Sequence, residues 1–133
     1  MTKIEALAKH LDTTVENIGE NTDDTYSIED SNEEYLVLTN KEADEKAKEY
    51  ILDSLWAFKA SFLASHSGID EDVIQAIQAN DKCEDNNQVF LKLIEDVDHF
   101  VNDAILSDAR GHFLSNYDGE EHEEGEFYIY RTN

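Results

Sequence analysis

Six carboxylates and one imidazole fall within nine residues near the C-terminal end, in Asp118-Gly119-Glu120-Glu121-His122-Glu123-Glu124-Gly125-Glu126. Oxygen-bearing residues at alternate positions, Asn116, Asp118 and Glu120, are of the type that gathers around a hard cation. The spacing departs from a helix-loop-helix calcium loop. Counted from Asn116, the sixth position is Glu121 instead of glycine and the twelfth is Phe127 instead of glutamate. A charged turn open to water, with no dedicated metal, is the expectation. The histidines, His10, His66, His99, His112 and His122, are scattered without an HExxH or His-x-His arrangement. Cys83 stands alone, so neither a disulfide nor a thiolate zinc cluster can form within the chain, and it reads as an ordinary free thiol. No nucleophile lies beside a base in the sequence, and glycosidase-type acid pairs cannot be singled out among so many carboxylates. The chain reads as a non-enzyme without a cofactor.

The charge is the dominant feature: 32 Asp and Glu oppose 10 Lys and Arg over 133 residues, for a formal net charge of −22. Residues 1–34 hold ten acids and two bases, 35–66 five and four, 67–108 eleven and two, and 109–133 six and two. Direct binding to nucleic acid or an anionic membrane needs a basic footprint that this chain lacks, so a macromolecular partner should itself be basic. No apolar run approaches a membrane span, and the N-terminal residues lack the pattern of a cleaved leader, so a cytoplasmic protein is expected. Six Phe, six Tyr and one Trp, with many aliphatic residues, supply a folded core.

The neutral region reads as the structural centre. Tyr35-Leu36-Val37-Leu38 has strand character, and Thr39-Asn40-Lys41-Glu42 has the form of a capping box. Ala47, Ile51, Leu55, Phe58 and Phe62 form one apolar line, and Leu52, Trp56, Ala60 and Leu63 a second, predicting a single helix to about Ser65 that ends before Gly68. Asp70, Glu71 and Asp72 suit the start of a helix through Ala79, with Val73, Ile74 and Ile77 buried. A loop over 80–86 precedes a helix over 86–108 whose polar face carries Glu95, Asp96, Asp98, His99, Asn102 and Asp103. His112 to Ser115 and Phe127 to Arg131 read as the strands of a C-terminal hairpin, making a sheet of about three strands. Gly111 and Gly119 suit tight or positive-φ turns, Tyr117, Tyr128 and Tyr130 suit the sheet surface, and Arg110 and Arg131 suit clamps on neighbouring acids. The expected architecture is α+β, a mostly helical small domain with a short antiparallel sheet. It spans 1–133 as one acidic domain, with 20–34 mobile and 35–133 as the main body.

Two resemblances add expectations. Ile4 to Ile18, with Leu7, Ala8, Leu11, Val15 and Ile18 in packing positions, is similar to the helix-turn-helix of phage-repressor-like proteins. It has Asp12 at the usual glycine, and Glu16, Asn17 and Glu20 where a reader of DNA needs basic side chains. Residues 1–19 are therefore expected to be a helical hairpin packed on the domain. The run Arg110-Gly111-His112-Phe113-Leu114-Ser115-Asn116-Tyr117-Asp118-Gly119-Glu120, with Tyr128-Ile129-Tyr130-Arg131-Thr132-Asn133 and Glu34 to Thr39, resembles short acidic proteins of bacteriophages and mobile elements. In size and charge the chain resembles phage DNA-mimic inhibitors of CRISPR and restriction systems.

That resemblance implies non-catalytic inhibition of a basic, nucleic-acid-binding host defence protein, a CRISPR effector first and a restriction enzyme second. Duplex DNA carries a charge per roughly 3.4 Å of each strand, and helix-spaced carboxylates about 5–6 Å apart approach that density. The acids assigned to the partner surface are Asp70, Glu71, Asp72, Glu95, Asp96, Asp98, Asp103, Asp118, Glu120, Glu121, Glu123, Glu124 and Glu126, read as one stripe. Two alternatives stay open: a phage adaptor or regulatory module using an apolar patch near Trp56, and a small metal-dependent enzyme using the 118–126 acids.

Overall fold

The computed structural model describes residues 1–80 and 83–133. Asp81 and Lys82, in the loop expected over 80–86, lie outside the described residues, as do the side chains of Cys83 and Asn86. The described chain is α+β, and its two compact units, residues 1–47 with 108–133 and residues 48–107, are taken in turn. No described helix is long and apolar enough to cross a membrane.

The first unit is built on a five-stranded antiparallel sheet: β1 (Ile18–Glu20), β2 (Thr25–Ile28), β3 (Glu34–Thr39), β4 (His122–Glu124) and β5 (Phe127–Arg131), in the order β1-β2-β3-β5-β4. Alternation along β3 and β5 divides their apolar residues between two faces. Val37 opposite Ile129 and Thr39 opposite Phe127 lie on one face; Leu36 opposite Tyr130 and Leu38 opposite Tyr128 lie on the other. Ala6, Leu7 and Ala8 of α1 (Lys3–His10) join Ile18, Tyr26, Tyr35, Val37, Phe127 and Ile129 in one core.

The helical hairpin expected over 1–19 does not form. After α1 the backbone takes a left-handed turn at Asp12, φ 54°. Thr13 N–H then reaches Ala8 O at 2.9 Å and Asp12 N–H reaches Lys9 O at 3.3 Å, a Schellman closure with aspartate in the usual glycine place. Thr14 is extended, and only a 3-10 turn over Val15–Asn17 intervenes before β1. The stretch 20–34, expected to be mobile, contains β2. Its turn from β1 has two successive positive φ values, 56° at Asp23 and 62° at Asp24, as a type I′ turn requires. The sheet therefore has five strands where about three were expected.

The C-terminal hairpin is present but uses a different first strand. β4 and β5 enclose the two-residue turn Gly125-Glu126, in which Gly125 takes φ 62°. His112 to Ser115 is not a strand: Arg110–Leu114 form α7. Gly111 sits inside that helix instead of at a positive-φ turn, and glycine is required there by close approach, since a Cβ would lie 2.4 Å from the Gly119 carbonyl oxygen. Gly119 does adopt the positive φ, 73°.

α2 (Asn40–Asp53) begins with the expected capping box: Thr39 N–H donates to Glu42 Oε1 at 2.9 Å and Glu42 N–H to Thr39 Oγ1 at 3.2 Å. In the second unit, from Lys48 onward, the helix predicted to reach Ser65 stops at Asp53. A 3-10 turn, Leu55–Ala57, and extended Phe58 separate it from α3 (Ala60–Ser67). Tertiary partners satisfy the interrupted backbone. Asn87 donates Nδ2 to Leu52 O at 2.7 Å and accepts from Trp56 N–H at 3.2 Å, while Gln78 Nε2 donates to Trp56 O at 3.2 Å and Phe58 O at 2.6 Å. Ser54 Oγ also donates to Tyr50 O at 2.6 Å.

α3 ends at Gly68, φ 68°, as its sequence predicts, and α4 (Glu71–Gln78) follows. Ile74 is buried there, but Val73 is exposed. The helix expected over 86–108 is two: α5 (Asn87–Leu93) and α6 (Val97–Asp108), with Asp96 Oδ1 accepting from His99 N–H at 3.1 Å to begin the second. Phe62 and Phe100 pack edge-on at 5.0 Å, with Phe58 and the ring of buried His66 against them.

Two stability changes follow from this backbone. Asn87→Ala strands the Leu52 carbonyl and Trp56 amide and should cost about 1–3 kcal/mol. Ala109 has φ 69° and ψ 156°, a region held almost exclusively by glycine. Ala109→Gly should therefore stabilise the protein by about 1 kcal/mol, the relief of strain exceeding glycine's unfolded-state entropy. Urea denaturation of both variants measures these changes.

Candidate interaction surface

The 118–126 segment is held from inside the first unit by one largely buried cation. Arg110, with a side chain 11 % exposed, donates Nε to Glu121 Oε1 at 2.9 Å. Its Nη1 meets Asp44 Oδ1 at 3.0 Å, Asn40 Oδ1 at 2.8 Å and the Asn40 carbonyl at 3.2 Å. The guanidinium also lies over the Tyr128 ring, 4.6 Å from its centroid. Burial opposes its charge, but the bond to Glu121 and the nearby anionic groups outweigh that opposition and raise its pKa. The hydroxyl of fully buried Tyr130 donates to the same Glu121 oxygen. Burial first, and the Glu121 carboxylate second, push the phenol's pKa up. This geometry gives Arg110 the expected role of internal clamp.

Arg131 is the second clamp. Its guanidinium lies 3.6 Å from the centroid of exposed Tyr117, and its Nη1 is 3.4 Å from Glu33 Oε1. Buried Ser115 lies 2.8 Å from Asp118 Oδ1 and 2.7 Å from the Arg131 carbonyl, so its one hydroxyl proton serves two acceptors. The Glu120 N–H bond, followed by the Ser115 hydroxyl, lowers the pKa of Asp118.

Within the acidic segment, three carboxylates therefore hold the fold: Asp118, Glu121 and Glu124, the last 3.1 Å from Lys9. Glu120, Glu123 and Glu126 are exposed. Alternation along β4 puts Glu123 on the opposite face from His122 and Glu124. The oxygen atoms proposed to converge from Asn116, Asp118 and Glu120 include a carboxylate already engaged by Ser115. Among the described residues, no group of three or more His, Cys, Asp or Glu is arranged to hold a metal ion.

The remaining predicted surface residues belong to the second unit. Asp70, Glu71 and Asp72 are exposed at the start of α4, and Glu95 is exposed after α5. Asp96 caps α6, Asp98 lies 3.0 Å from Lys48 Nζ, and Asp103 Oδ2 is 2.8 Å from Nε2 of His66. These residues divide between exposed charge and internal support, as those of the hairpin do. Trp56, at the centre of the alternative apolar patch, is half-buried, while Val73, Val89 and Leu106 are exposed.

The structure adds a third acidic surface, on the first unit. Glu16, Glu20, Asp23, Glu29 and Asp30 are exposed around β1 and β2. Nearby, Lys3 Nζ bridges Asp24 Oδ1 at 2.9 Å and Glu42 Oε1 at 2.8 Å. The Lys3 bond is the first of the causes that lower the pKa of Glu42. The adjacent aspartates at 23 and 24 were the available signal for this hairpin. Comparison of the chain with protein-family models, curated proteins and solved structures returned no match.

The clamp makes a direct stability prediction. Arg110→Met removes the cation shared by Glu121 and Asp44 and should destabilise the first unit by about 2–4 kcal/mol. Arg110→Lys should recover little, since one ammonium cannot reproduce the planar fork and its stacking on Tyr128. Hydrogen exchange at β5 amides reads both effects in the unit where they arise.

Proposed function

We propose that the protein is a phage-type, non-catalytic inhibitor that occupies the basic groove of a host nucleic-acid-binding defence protein with its acidic surface. A CRISPR effector is the first candidate target and a restriction enzyme the second. The observation that carries this reading is the presence of aspartate where the backbone asks only for a small, turn-tolerant residue. Asp12, Asp23 and Asp30 take positive φ, at 54°, 56° and 63°, whereas Asp24, at 62°, is engaged by Lys3. Asparagine or glycine serves such turns without adding charge. A net charge of −22 also exceeds the magnitude of about 2–8 that solubility asks of a small domain.

Exposed acids on α4 and after α5 in the second unit, and on the hairpin and around β1 and β2 in the first, each supply anionic groups for such binding. The resemblance of the C-terminal run to short acidic phage proteins supports the same setting. Electrostatic steering would make association fast and steeply dependent on salt. A second reading, an adaptor binding through apolar contacts, draws on the exposure of Leu106, at 85 %.

The test is capture of partners from a bacterial lysate on the full chain, followed by elution with salt or competing duplex DNA and identification by mass spectrometry. A nucleic-acid-binding complex released by DNA is the expected outcome. Charge removal at Asp70, Glu71, Asp72, Glu95, Glu120, Glu123 and Glu126, as Asn or Gln, should then weaken binding by tenfold or more, on the order of 1.4 kcal/mol. Unchanged affinity and salt dependence in that variant would refute mimicry. A partner indifferent to salt and DNA would favour the apolar reading.

A further inference from the structure

We propose that His10 and His122 form a pH-operated latch between α1 and β4, closed while His10 is neutral and opened when His10 gains a proton against the His122 ring. His10 is the last residue of α1 and His122 the first of β4, yet their ring centroids lie 4.8 Å apart with planes tilted by 38°. Two neutral rings pack favourably at this separation, whereas two imidazolium ions repel. β4 is the terminal strand of the sheet and has only three residues, all paired with β5, so α1 supplies a second support beside that pairing.

The neighbouring charges oppose one another. Lys9, on α1, adds positive charge, while Glu124, on the same face of β4 as His122, adds negative charge and pairs with Lys9 at 3.1 Å. The Asp118 carboxylate, before β4, attracts the charged His122 ring. Both acids oppose opening, and the repulsion between the rings must exceed their pull. The helix end does not offer His10 a free set of carbonyls: Leu7, Ala8 and Lys9 oxygens already accept from Leu11, Thr13 and Asp12. Burial, and then the charge of His122, lower the pKa of His10 below the ordinary 6.5, against the opposing pull of Glu124. The unfolded chain therefore binds more protons in this window. Stability is complete above the unfolded-state value of 6.5 and declines as pH falls through the lowered folded-state value. The latch thus operates above the main titration range of the carboxylates. It does not depend on what the acidic hairpin binds.

The experiment follows backbone hydrogen exchange of α1 and β4 in the full chain between about pH 7.5 and 5.5, corrected for the intrinsic exchange rate. In the native protein, protection should fall several-fold toward acid, within the linkage limit of about tenfold per pH unit for each titrating group. His10→Phe and His122→Phe keep a ring in the contact and remove titration, so each should flatten that dependence. Unchanged protection in the native protein overturns the latch, as does an equal decline in both variants. If either variant fails to fold, the histidine ring resonances of the native protein decide: coupled titration of His10 and His122 supports the latch, and independent titration overturns it.

Discussion

Mutual repulsion among 32 acidic side chains, set against 10 basic ones, is the constraint to which the rest of this structure answers. A small core cannot absorb that repulsion everywhere, so basic residues act where several elements meet. Lys3 joins α1, the β1–β2 turn and the start of α2 through Asp24 and Glu42. Arg110 joins α7, the start of α2 and the approach to β4 through Asn40, Asp44 and Glu121. In both places one cation neutralises two carboxylates that would otherwise repel across the first unit. Arg110 has the more demanding position, because its guanidinium is largely buried and its pairing must compensate for lost water.

Neutral hydrogen-bonding groups serve where charge does not. The break after α2 exposes backbone groups that an uninterrupted helix would satisfy, and two side-chain amides, Asn87 and Gln78, take them up. An amide both donates and accepts, so Asn87 alone bonds a carbonyl on one side of the break and an N–H on the other. The same break lets Phe58 turn toward Phe62 and Phe100. The second unit thus obtains its aromatic core by interrupting a helix whose apolar spacing, taken alone, supports continuation.

This contrast explains what could be read from the residues alone. β3, the capping box at Thr39 and Glu42, the end of α3 at Gly68 and the strand at Phe127 to Arg131 were legible because neighbouring residues determine them. The break after Asp53 was not, because its hydrogen-bond partners lie 20–35 positions away. α7 was misread as a strand because the close passage of Gly111 beneath the Gly119 carbonyl is a tertiary fact. The arginine clamps were recognisable from their rarity among acids. The contacts of His10 with His122 and of His66 with Asp103 were not, since each joins residues remote in sequence.

Acidity and folding meet most directly in the left-handed turns. An L-residue at positive φ crowds its Cβ against the backbone, and aspartate tolerates this better than most side chains but less readily than glycine. In the β1–β2 turn two aspartates adopt that conformation in succession, placing like charges side by side. Asp24 gains compensation from Lys3, while Asp23 remains exposed. Turn formation explains a short polar side chain at Asp23, but not its negative charge, since asparagine meets the same conformational demand. The negative charge at Asp23 is therefore additional to what the turn requires, and it adds to the repulsion that Lys3 relieves at Asp24 alone.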